Sequence, residues 1–71
     1  MTPSEQLGRV IRRLRQENGY SQEDFAAVCD VHRTYMGQIE RGIGNPSLQL
    51  LVRIAKSLGI SLSQLIQEAG L

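Results

Sequence analysis

Cys29 and His32 set a thiol and an imidazole three residues apart, and directly after them Arg33, Thr34, Tyr35, Gln38 and Arg41 set donors and acceptors along one short stretch. Three chemistries use such residue types: nucleophilic attack by a thiol with a neighbouring base, ligation of a metal, and hydrogen bonding to an extended polar surface. The first lacks a third residue to orient the base and any segment that would build a pocket. A cysteine on the face shared with Phe25 and Ala26 behaves as a small hydrophobe whose thiol is hard to ionise. Two ligands fall short of a closed zinc site. The chain is therefore read as a non-enzyme without cofactor or metal, and the polar stretch as its working surface.

That stretch has to be positioned, and the capping residues divide the chain into elements that do so. Thr2-Pro3-Ser4-Glu5 has the residues of a capping box, Leu7, Val10, Ile11 and Leu14 follow at helical spacing, and Asn18-Gly19 supplies a stop. The first helix is expected over Pro3 to Glu17. Ser21 with Glu23 and Asp24 in the first turn opens a second helix over about Gln22 to Cys29. Asp30-Val31-His32 forms a turn, and a third helix runs from Arg33 to about Glu40 with Met36 and Ile39 inward. Ser47 caps a fourth, whose Leu48, Leu51, Ile54, Ala55 and Leu58 keep the period until Gly59. Ser61 to Gln64 caps a fifth, ended by Gly70. No stretch has a strand pattern, so the fold class is all-α, a compact five-helix domain.

With 71 residues the chain has room for one domain and none for separate cofactor and substrate domains. A single cysteine excludes an intrachain disulfide. No apolar run is long enough to span a membrane and no signal-peptide pattern occurs, so the expected place is the cytoplasm. Eight Lys and Arg against seven Asp and Glu leave a net charge of +1, short of a strongly basic nucleic-acid footprint. Distribution matters more: seven of the eight cations are arginines, and Arg9, Arg12, Arg13 and Arg15 crowd the first quarter. On helix one they read mostly as a solvated face.

Two helices of about eight residues joined by a three-residue turn make a helix-turn-helix, spanning about residues 22–40. An α-helix fits the major groove of B-DNA and reads bases through outward donors and acceptors near its start. Arg33, Thr34, Tyr35 and Gln38 are so placed, with Thr34 and Gln38 one turn apart on the same face. Tyr35 is read equally as a contact to DNA and as half-buried packing, and Gly37 as room for close approach or as an unoccupied surface position.

The run from Ser21 to Ser61, SQEDFAAVCDVHRTYMGQIERGIGNPSLQLLVRIAKSLGIS, resembles the Xre or Cro/repressor family of helix-turn-helix domains, over roughly Leu7 to Leu65. Its HRTYMGQIERG segment followed by NPSL is most like the controller proteins of restriction-modification systems. The resemblance implies a lambda-repressor-like fold and a homodimeric transcription regulator on an inverted-repeat operator in double-stranded DNA. It implies that Gln22 meets a phosphate and braces the first residues of the recognition helix. It gives Arg41 and Asn45 backbone contacts, and pairs Arg15 with Glu40 as a structural tie. The alternative is a protein-interaction module of the same fold, as in antitoxins or antirepressors.

Two departures from that pattern stand out: Asp30 replaces a common turn glycine, and His32 stands where serine or threonine often caps the recognition helix. Histidine is expected to cap poorly and, protonated beside a phosphate, to tighten binding at lower pH. The fifth helix, about residues 62–69, carries more apolar area than so small a core can cover. Ile60, Leu62, Leu65, Ile66 and Leu71 are therefore expected at a dimer interface, with Leu65 or Ile60 shared with the core. RNA polymerase is a further partner if the protein activates, with Glu5, Glu23 and Asp24 as candidate contacts.

Overall fold

The computed structural model describes all 71 residues as five helices and no strand. They are α1 (Pro3–Glu17), α2 (Gln22–Val28), α3 (Arg33–Glu40), α4 (Leu48–Ser57) and α5 (Leu62–Glu68). Each starts at a residue whose side chain accepts a backbone N–H of the first turn: Thr2, Ser21, His32, Ser47 and Ser61. At Thr2 and Ser61 the reciprocal bonds from the backbone to Glu5 and Gln64 complete capping boxes. α2 ends one residue short of the sequence expectation because Cys29 serves as its C-cap, its N–H turning back to Phe25 and Ala27. His32, expected to cap poorly, does cap: its Nδ1 accepts from the Thr34 N–H at 3.1 Å. Asp30 takes φ 59°, the left-handed conformation that Asp tolerates better than most side chains.

Helices this short are marginal alone and hold their shape by burying one face. Ile11, Phe25, Cys29, Met36, Ile54 and Leu65 are the largest fully enclosed side chains and come from all five helices or their caps. Tyr20 packs its ring on Phe25 with centroids 5.3 Å apart, closing the link between α1 and α2. Leu65, expected at a dimer interface or shared with the core, has no exposed area and belongs to the core, where it and Ala69 hold the last helix. Ile60 and Leu62 are half-buried against the same core. No helix is long and apolar enough to cross a membrane.

α3 sits between α1 and α2, and the close approach of its C-terminal end to α1 depends on glycine at two positions: Gly42, where an added Cβ would lie 2.7 Å from the Glu5 Cα, and Gly8. A Cβ on Gly8 would lie 2.4 Å from the Ile39 carbonyl oxygen and 2.6 Å from that of Glu40, backbone atoms that cannot move aside. Gly8 thus lets α1 pass flush against the end of α3. Gly8→Ala is expected to lower stability by about 1–3 kcal/mol, although alanine is the better helix former, and so to lower the melting temperature by roughly 4–8 °C per kcal/mol. Thermal unfolding followed by circular dichroism measures it.

Candidate nucleic-acid interface

α3 turns Met36, Ile39 and Glu40 inward and leaves Arg33, Thr34 and Arg41 exposed, with Tyr35, Gly37 and Gln38 half-buried. The His32 cap requires an unprotonated Nδ1, so the neutral imidazole carries its proton on Nε2. Arg33, in the first turn, places Nη1 3.1 Å from Oε2 of Glu23 on α2. This single contact leaves other guanidinium N–H groups free, and an exposed pair is worth only about 0–1 kcal/mol, weak enough to exchange for a guanine edge.

Behind this face lies a buried ion pair. Arg15 Nε and Nη2 donate to Oε2 and Oε1 of Glu40 at 2.7 and 3.0 Å, and Nη1 donates to the Tyr20 carbonyl at 2.9 Å. Gln22 Nε2 adds a fourth bond, to Glu40 Oε1 at 3.2 Å. No buried side-chain polar atom is left without a partner. Gln22 therefore braces the end of α3 and not its first residues, because Glu40 offers the acceptor. The link to the first turn falls to Glu23, which sequence reading had treated only as a first-turn helix residue and a polymerase contact. Its spacing of ten residues from Arg33 carries no helical or turn signal. Gly37 gives Gln22 room, since a Cβ there would lie 3.3 Å from Gln22 Oε1.

The Gln38 carbonyl accepts from the N–H groups of Arg41, Ile43 and Gly44, which folds the loop after α3 back onto the helix. Asn45 is exposed at the far side of that loop. The Tyr35 ring lies against Gly44, where an added Cβ would meet it at 3.2 Å, and its hydroxyl bonds to no protein group. Packing and an outward hydroxyl are thus compatible at this residue. Elsewhere, Arg13 of the supposed solvated face binds Glu68 at 2.6 Å and ties α1 to α5. Leu71 is 51% exposed, while Ile66 is half-buried. Val28, Leu48 and Val52 add exposed apolar side chains on α2 and α4.

Cys29 is no candidate nucleophile. Burial pushes its thiol above the ordinary value of 9.0, and the Ser57 hydroxyl and the Arg53 charge offset only part of that.

A helix-turn-helix family model matches residues 11–65. The control protein C.BamHI of Bacillus amyloliquefaciens is 42% identical over 61 residues, which cover 84% of this chain and 75% of that protein. Among solved structures, the restriction-modification controller protein C.AhdI of Aeromonas hydrophila superposes with a TM-score of 0.82 at 36% identity, covering 86% of this chain and 92% of that one. The biofilm master regulator SinR, solved in complex with DNA, superposes at 0.77 with 35% identity, covering 83% and 95%.

Two outcomes follow from this geometry. Glu40→Ala strands the Arg15 charge and is expected to cost about 3–5 kcal/mol, most of the stability of so small a domain, with Glu40→Gln losing less; urea unfolding measures both. Because the folded thiol holds its proton to higher pH than the unfolded one, the Cys29 contribution is constant below about pH 9 and is lost above it. The fall in unfolding free energy as pH rises above about 9 should therefore be shallower in Cys29→Ala than in the unaltered protein.

Proposed function

Since the chain belongs to the helix-turn-helix family, we propose that it is a sequence-specific DNA-binding transcription regulator in which α3 enters the major groove. The observation that carries this reading is the split character of α3. Arg33 and Thr34 are exposed and Gln38 partly so, while Glu40 fixes the same helix from behind through Arg15 and Gln22. Base contacts fall to Arg33, Thr34, Tyr35 and Gln38, and backbone contacts to Gln22, Arg41 and Asn45. The likeness to control proteins such as C.BamHI supports a restriction-modification controller or a small autoregulating repressor.

A single such helix offers three or four base contacts, too few for selection within a genome, and two copies on half-sites about one helical turn apart remedy this. Ile66 and Leu71, flanked by Ile60 and Leu62, form the surface proposed to join them. The likeness to bacterial control proteins supports a cytoplasmic location. For contact with RNA polymerase, Glu5 closes the α1 cap and Glu23 holds Arg33, which leaves Asp24 as the unengaged carboxylate.

Selection of bound duplexes from a random library tests the reading. The unaltered protein is expected to enrich an inverted repeat, and Arg33→Ala to lose preference at one position per half-site, worth about 1–3 kcal/mol each. Affinity should fall steeply as salt rises. No enrichment at low salt would instead favour the protein-interaction module, whose apolar contacts respond little to salt.

A further inference from the structure

The acidic residues are spent unevenly on the eight cations. Arg13 is paired with Glu17 and Glu68, Arg15 with Glu40, and Arg33 with Glu23, and Arg53 approaches Asp30 at 4.0 Å. Arg9, Arg12, Arg41 and Lys56 have no such partner. Of these, Arg12 and Arg41 share one recess of about 370 Å³ between α1, the start of α2 and the end of α3. Its other lining residues are Arg15, Gln22, Gly37 and Glu40, none of them hydrophobic.

The one carboxylate in the recess is already engaged. Both Glu40 oxygens accept from Arg15, and one also accepts from Gln22. With Arg15 and Glu40 cancelling, Arg12 and Arg41 remain as two uncompensated positive charges on the recess, and Gly37 adds no side chain to it. Like charges gathered in a concave polar site focus the field on an anion. The recess has ample room for a phosphate group, and Arg41 directly follows the helix assigned to the groove.

We propose that this recess seats one backbone phosphate of the DNA duplex between Arg12 and Arg41. Arg12 of α1 is thereby a DNA-contacting residue, although α1 otherwise packs behind the reading helices. The inference rests on the DNA-binding reading and adds to it a contact from outside the helix-turn-helix. Arg9, also on α1 and also unpaired, lies outside the recess and is the control for charge acting at a distance.

The test uses the full chain, a duplex enriched by the unaltered protein and a scrambled duplex of equal length. Binding is measured across salt concentrations from about 50 to 200 mM. Arg12→Gln is expected to reduce the log–log salt slope by about 0.9 per bound protomer, so that each protomer loses about three- to fourfold less affinity across that range. The loss of affinity at low salt should be the same for both duplexes, because a phosphate contact carries no sequence information. Arg12→Lys should keep most of the slope, and Arg9→Gln all of it. Equal slopes for Arg12→Gln and the unaltered protein would overturn the proposal while leaving DNA binding intact, as would an equal reduction in Arg9→Gln. A melting temperature raised by inorganic phosphate at matched ionic strength and lost in Arg12→Gln, with salt slopes unchanged, would assign the recess to a free anion and overturn it too. Failure of the unaltered protein to bind any duplex would remove both readings.

Discussion

The arrangement of this domain depends on a bidentate ion pair between Arg15 and Glu40, both almost fully enclosed. Taking two charges out of water costs several kcal/mol each, and attraction repays that only where the remaining donors and acceptors also find partners. Here they do, through the Tyr20 carbonyl and the Gln22 amide. The pair joins the last turn of α1 to the last turn of α3 and takes in the first residue of α2. Three short helices, each too short to persist alone, are thereby held at one junction. Gly8 serves the same junction from the other side, by letting α1 lie against the carbonyls at which α3 ends.

Fixing α3 from behind leaves its outward face free of structural duty. The contacts made there are ones that water or a ligand can replace: Arg33 on Glu23 is exposed on both sides, and the Tyr35 hydroxyl has no protein partner. Arginine thus serves three ends in one small chain. Buried, in Arg15, it is structure; paired across the surface, in Arg13, it ties α1 to α5; unpaired, in Arg12 and Arg41, it is available charge. A net charge of +1 averages over these uses and so understates the local positive field.

The apolar surface is distributed in a similar way. Leu65 fills the core, while Ile66 and Leu71 remain at the edge of α5 and Val28, Leu48 and Val52 lie exposed on other helices. A run of hydrophobic residues at helical spacing fixes which face of a helix is apolar. How far round that face the core reaches depends on how closely the neighbouring helices approach.

By itself the sequence determined the elements and the family. Caps, stops and apolar periodicity are local signals, and they set all five helices to within a residue at most ends; the run from Ser21 to Ser61 carried the resemblance. The tertiary structure alone decided which polar groups meet. Glu23 reaching Arg33, Gln22 bracing the end of α3, Arg13 reaching Glu68 and the recess shared by Arg12 and Arg41 all join residues on different helices. Polar pairing between elements has no period to read. It depends on the distance and angle at which helices cross, and those are set by the packing of the core and by the missing side chains of Gly8 and Gly42.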